Sequence, residues 1–317
     1  MAKSATLESL APSPLMGRRH FFALNTGIQV LTLDWQQTEL MQGAEQVFRS
    51  IEERFSRFLQ SSELCRLNAR TGEEVAVSPQ MFQVLQLSLE FHRRSGGTFD
   101  PAILPNLRAA GYDRSFELIL RESEEPVTAR EPVNASIADV RLDRERLTAQ
   151  APAGVLLDLG GIGKGFAVDE AANALSPARD FLIDAGGDIY ASGNGPGGSG
   201  WTVSVAHPFG GDEIALVDLR DQALATSTTV RRSWRRGARR LHHLIDPRTG
   251  EPAETDVVSV SVLASSAVTA DVFAKVALIR GFDAGREFIQ NQGAAGLFVF
   301  PDGSWQAIGD FPGGEWR

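Results

Sequence analysis

Apolar positions recur at helical spacing in several stretches of the chain. Leu40, Ala44, Val47, Phe48, Ile51, Phe55 and Phe58 step by three and four residues, which predicts a long amphipathic helix from Leu40. Ser78-Pro79 opens another, with Ser78 as N-cap and Pro79 in the first turn, and Ser95-Gly96-Gly97 ends it. A later helix begins near Ala267 and carries Val268, Val272, Phe273, Val276 and Ile279. Period-two alternation through Phe22, Leu24, Ile28 and Val30 predicts a strand pair around Asn25-Thr26-Gly27. Further strands are expected at 181–183, 189–191, 201–205, 214–219 and 297–300. Helices and strands are segregated along the chain, so the expected class is α+β, with mixed or antiparallel sheets and separate helices. Residues 1–15 read as a flexible lead, and 114–146, with Pro126 and Pro132, as a variable connection.

One junction stands apart. Val155, Leu156, Leu157 and Leu159 read as a buried strand, and Phe166, Val168, Ala171, Ala174 and Leu175 as a helix. Between them lie Gly160, Gly161, Gly163 and Gly165, with Lys164 beside them. Bare amides at a helix start next to a cation suit an anion, most often a phosphate. A Walker loop does not fit, because Gly165-Phe166 follows the lysine where a hydroxyl should stand. Gly193, Gly195 and Gly198 spell GxGxxG, but an alternating strand follows in place of a helix; this run, 193–200, reads as a hairpin loop.

Composition narrows the partners. The chain has 317 residues, 43% of them hydrophobic and 22% charged, as in ordinary globular proteins. A net charge of −9 disfavours nonspecific binding to nucleic acid. No apolar run approaches a membrane span of roughly 18 residues. The single cysteine, Cys65, excludes an internal disulfide or a multi-cysteine metal site. Arg18-Arg19 faintly resembles an export signal, yet Asn25, Thr26 and Gln29 interrupt the segment that follows, so a cytoplasmic location is expected.

Chemistry-bearing groups cluster late in the chain. Asp184-Ala185-Gly186-Gly187-Asp188 is a glycine-bearing turn after a strand, and Ala225 to Thr229 contains a run of hydroxyls. His242-His243 precedes the turn Asp246 to Gly250, and either imidazole could face a cleft or lie on a polar strand. Six arginines between 231 and 240 read mainly as a solvated hairpin.

In collinear order, these motifs resemble the ApbE family of flavin transferases (FAD:protein FMN transferase). The residues that carry the resemblance are FSRFLQSSELCRLN (55–68), GGTFDPA (96–102), LDLGGIGKGFAVD (157–169), DAGGDIYASG (184–193), ATS (225–227), HLIDPRTG (243–250) and TADVFAKVALIRG (269–281). The resemblance implies a T-fold-like domain over 16–317, which allows two subdomains with FAD in a cleft between them. It implies that FMN passes from FAD to a threonine hydroxyl of an acceptor protein through a phosphoester, with release of AMP. His243 then corresponds to the general base. Met16, Phe58, Thr98, Phe99, Asp100, Asp158, Gly160, Gly161, Gly163, Lys164 and Ile245 fall on expected FAD contacts.

The family pattern also implies magnesium, held by the Gly161 carbonyl, Asp271 and a threonine or serine four residues later. Here that last position is Lys275. An ammonium supplies no oxygen ligand, and an Asp271–Lys275 pair forms readily one helical turn apart. Lys275 is therefore expected to serve the FAD pyrophosphate partly in magnesium's place. The alternatives are an FAD pyrophosphatase that yields FMN and AMP, and a noncatalytic FAD-binding or flavin-delivery protein.

Overall fold

The structure is a computed structural model that describes residues 16–119, the backbone of 122–123, and 135–312. The expected N-terminal lead, and the part of the connection that contains Pro126 and Pro132, lie outside the described residues. The described residues group into two compact units. One is drawn from Met1–Ser50, Lys164–Thr228 and Asp256–Arg317, the other from Ile51–Gly163 and Thr229–Thr255.

The first unit is built on an eight-stranded sheet. Its spatial order is Gly17–Ala23, Thr26–Thr32, Phe181–Ala185, Ile189–Ser192, Gln222–Thr228, Ser259–Ala264, Ala295–Val299 and Trp305–Ile308. Every neighbouring pair is antiparallel. Alternation sends Leu31, Leu182, Leu224, Leu263 and Leu297 to one face, where they pack with Trp201, Val203, Val217 and Leu219 of a separate hairpin. The helices Ala267–Arg280 and Phe282–Asn291 contact strands of the same sheet. In the middle of the sheet, Ser259–Ala264 is buried at every position but the last, its two serines included.

The second unit combines the helices Glu63–Ala69, Pro79–Arg94 and Leu104–Ala109 with short sheets. Ser78 caps the middle helix through the Met81 amide, with Pro79 in the first turn as its sequence predicts. A compact core gathers Leu107, Tyr112, Trp234, Leu241 and Ile245. The Trp234 indole N–H donates to the Ala110 carbonyl at 2.8 Å. The arginine-rich segment does form a hairpin, Ser233–Arg236 against Arg239–His242.

Several expectations need correction. The helix from Leu40 runs Thr38–Phe55, so Phe58 lies beyond its end. The tight turn near the N-terminus is Leu24-Asn25, both with positive φ, one residue earlier than predicted. Val155, Leu157 and Leu159 are buried but belong to no strand. There the Asn68 side-chain amide pairs with both the N–H and the carbonyl of Leu157, replacing a ladder partner. Residues 193–200 do not close a hairpin, because Ile189–Ser192 pairs within the large sheet whereas Trp201–Ala206 pairs with Glu213–Leu219. The helix Phe282–Asn291 was not predicted. Gly281, with φ of +78°, ends one helix and starts the next, and Gly285 occupies the interior of the second. A Cβ at Gly285 would meet the Ala277 carbonyl oxygen at 2.4 Å, so glycine permits that close approach.

Gly165 obeys the same constraint. An added Cβ would lie 2.6 Å from the Val268 Cα and 2.7 Å from the Ala267 carbonyl oxygen, both backbone atoms. Alanine is the better helix former by about 1 kcal/mol, yet overpacking dominates. Gly165→Ala is expected to lower stability by about 2 kcal/mol in denaturant unfolding. An unchanged or raised midpoint would refute this packing account.

Candidate functional site

The chemically distinctive side chains form one constellation in each unit. In the second unit, the loop after the Thr38–Phe55 helix presents Arg57 and Phe58. The Arg57 Nε bonds the Asp158 carboxylate at 2.7 Å, with both side chains 10% exposed or less. The Arg57 guanidinium lies 4.3 Å from the Phe58 ring centroid and 4.4 Å from that of Tyr112, and donates to the Tyr112 carbonyl. Tyr112 also meets His243 edge-on, with centroids 6.5 Å apart. Phe58, Asp158 and His243 thus converge on Arg57 and Tyr112, two residues that sequence reasoning did not single out. Arg57 could have been suspected: Asp158 in an apolar run needs a cation, and Arg57 stands in the quoted FSRF stretch.

The two histidines separate cleanly. His242 Nε2 lies 3.1 Å from the Ala253 carbonyl, and the Leu244 amide donates to Nδ1. Burial pushes the His242 imidazole below its ordinary value. Its ring is therefore a neutral structural bridge between Leu244 and Ala253. Ile245 is buried in the core beside Trp234.

Thr98, Phe99 and Asp100 are likewise buried. Asp100 accepts the Ala102 and Ile137 amides and the Ser136 hydroxyl, and contacts His92. The bond to Asp100 holds the His92 imidazole above its ordinary value. The Asp158 amide donates to the Pro101 carbonyl, tying this motif to the glycine junction.

The junction itself differs from its sequence expectation of bare amides. The Gly160 amide donates to Asp158 Oδ1 at 2.9 Å, and the Gly163 amide to the Leu159 carbonyl at 2.7 Å. Gly165 serves helix packing. These glycines tighten an Asx turn and a helix start, and two of their N–H groups are already engaged.

In the first unit, Lys164 lies in the first turn of the helix Gly163–Leu175 and its ammonium donates to Asp188. Lys275 donates to Asp271 one turn earlier in its own helix. The two carboxylates are 2% exposed. Burial raises the Asp188 carboxyl, Asp271 adds to the rise, and Lys164 and Lys275 oppose it, so all four charges share one field. Desolvation also pushes Asp184, in the same turn, up to about 6. Asp169 is pushed up to about 6 in the same way, although it accepts the Ala267 and Val268 amides at the start of the 267–280 helix. Met16 is partly buried and packs against the core of this unit.

Magnesium does not fit this cluster. The Lys275 ammonium occupies one oxygen of Asp271, and Asp271 Oδ2 is the cluster's single buried oxygen without a hydrogen-bond partner. A dication bound to Asp271 would stand beside the Lys275 ammonium and be repelled by it. Among the described residues no group of three or more His, Cys, Asp or Glu could hold a metal ion, nor is any helix long and apolar enough to cross a membrane.

An antiparallel sheet with separate helices makes this an α+β protein. The ApbE family model matches residues 24–298, and the chain belongs to that family. It is 33% identical to the FAD:protein FMN transferase of Treponema pallidum, across 83% of this chain and 78% of that protein. It is 27% identical to the enzyme of the same name from Vibrio cholerae, covering 78% and 74% of the two chains. The crystal structure of the ApbE protein from Thermotoga maritima superposes with a TM-score of 0.83 at 27% identity, covering 92% of this chain and 96% of that one.

Arg57→Met should destabilise the fold by about 3 kcal/mol, because it strands the Asp158 charge. Adding Asp158→Asn should restore part of the loss, and strictly additive costs would argue against the pair. Asp184 carries a pH signature. Its folded carboxyl titrates at about 6 against an ordinary 3.8, so between those values the folded chain holds the extra proton and stability falls as pH rises. Asp184→Asn should therefore gain stability relative to the parent between pH 4 and 7. A pH-independent difference in unfolding midpoints would contradict the shifted carboxyl.

Proposed function

We propose that this chain transfers FMN from FAD to a threonine hydroxyl of an acceptor protein and releases AMP. The observation that carries this reading is the match to the Treponema pallidum FAD:protein FMN transferase, which runs over most of both chains. The acceptor oxygen attacks the FMN-side phosphorus. A new P–O bond forms as the bond to the bridging oxygen breaks, and AMP leaves with that oxygen. The hydroxyl proton passes to the His243 imidazole. Positioning and charge neutralisation supply most of the acceleration in such transfers.

The other roles follow the resemblance, adjusted to what each residue is doing. Phe58, already flanked by Arg57, offers a ring face to the isoalloxazine, with Tyr112 behind it. Asp158, oriented by Arg57, and the turn at Gly160, Gly161 and Gly163 contribute to FAD binding. Thr98, Phe99, Asp100 and Ile245 are buried and act through backbone groups or by shaping the wall. Lys164 and Lys275 place positive charge for the diphosphate, and Met16 holds the start of its strand. No step is assigned to magnesium.

The test is incubation with FAD and a threonine-containing acceptor peptide, with AMP followed by chromatography and the peptide by mass spectrometry. The peptide should gain FMN less one water. His243→Ala should slow AMP release by about 100-fold or more while FAD binding persists. Free FMN without peptide modification would redirect the reading to hydrolysis, and full activity in His243→Ala would remove the base.

A further inference from the structure

We propose that Lys275 is a built-in cation that takes the place of a divalent ion, so that FAD is bound and cleaved without one. The inference rests on the preceding reading that a flavin diphosphate is the ligand of this cluster. Asp271 and Lys275 stand four residues apart on the helix Ala267–Arg280, and the ammonium reaches both Asp271 Oδ1 and, at 3.4 Å, the Asp271 carbonyl. Their side chains are only 2% and 12% exposed. A lysine ammonium has three donors, and Asp271 accepts from two of them, which leaves the third for a phosphate oxygen.

Burying such a pair is a poor route to stability. An apolar pair of similar volume would serve the fold as well or better, and this points to a use for the charge. The neighbouring pair repeats the device, because Lys164 is seated on Asp188, and Asp188 feels both Lys275 and Asp271. The four groups sum to zero charge, so each ammonium is held without attracting a further cation. A diphosphate approaching the cluster meets fixed N–H donors already paid for in folding. A divalent ion meets an ammonium on the carboxylate it would need.

Three measurements on the full chain decide the matter: FAD binding by calorimetry, AMP release, and Mn2+ binding by electron paramagnetic resonance. Each is made in EDTA and in excess divalent ion. The parent should bind FAD and release AMP equally in both conditions, and should bind no Mn2+ that Asp271→Asn removes. Lys275→Thr, or Lys275→Ser should the first fold poorly, should acquire Mn2+ binding. In EDTA these variants should bind FAD about tenfold or more weaker, with recovery on adding magnesium. Lys275→Arg should remain indifferent to EDTA. The proposal is overturned if the parent binds Mn2+ through Asp271 or loses FAD affinity in EDTA. It is overturned equally if the threonine and serine variants gain no metal dependence. Should no form bind FAD, the flavin reading fails, and the Mn2+ measurements still decide whether the ammonium excludes the metal.

Discussion

A carboxylate withdrawn from water must find a cation or a set of donors, and this constraint organises the candidate chemistry of both units. Asp158 is held by Arg57, Asp188 by Lys164 and Asp271 by Lys275. Asp169 takes backbone amides instead, and Asp100 takes two amides together with the Ser136 hydroxyl and His92. Left alone, each buried charge would destabilise the fold by several kcal/mol, so partner and carboxylate stand or fall together. The partners also fix what remains available. Arg57, once bound to Asp158, lies against Phe58 and Tyr112, and Lys275 occupies one carboxylate oxygen of Asp271.

The glycine-rich junction is built around hydrogen bonds and close packing within the chain. Its glycines were expected to expose amides to an anion. Gly160 and Gly163 instead satisfy their N–H groups within the chain, and Gly165 lets its helix lie against the backbone of Ala267 and Val268.

Local signals were legible where a residue acts within a turn or two. Ser78-Pro79, Ser95-Gly96-Gly97 and the strands at 181–185 and 213–219 needed only their own neighbours. The missed elements depend on distant partners. Neither Gln222–Thr228 nor Ser259–Ala264 was predicted as a strand, and the hydroxyls of 225–229 suggested site chemistry. In the sheet, Thr226 and Ser261 hydrogen bond to each other across adjacent strands at 2.7 Å. Residues 155–159 have the apolar content of a strand, but Asn68 supplies their hydrogen bonds. The helix after Gly281 was hidden by Gly285, whose place is set by the Ala277 backbone.

The sequence alone determined the α+β class, the cap-bounded helices, the family resemblance and the Asp271–Lys275 pair, because periodicity, capping and four-residue spacing are properties of short stretches of chain. Tertiary structure decided that Arg57 answers Asp158, that Asp188 joins the two lysines, and that the His242 ring bridges Leu244 and Ala253. Those outcomes depend on which distant groups share a dry environment, where the cost of an unpaired charge or donor selects one partner from many.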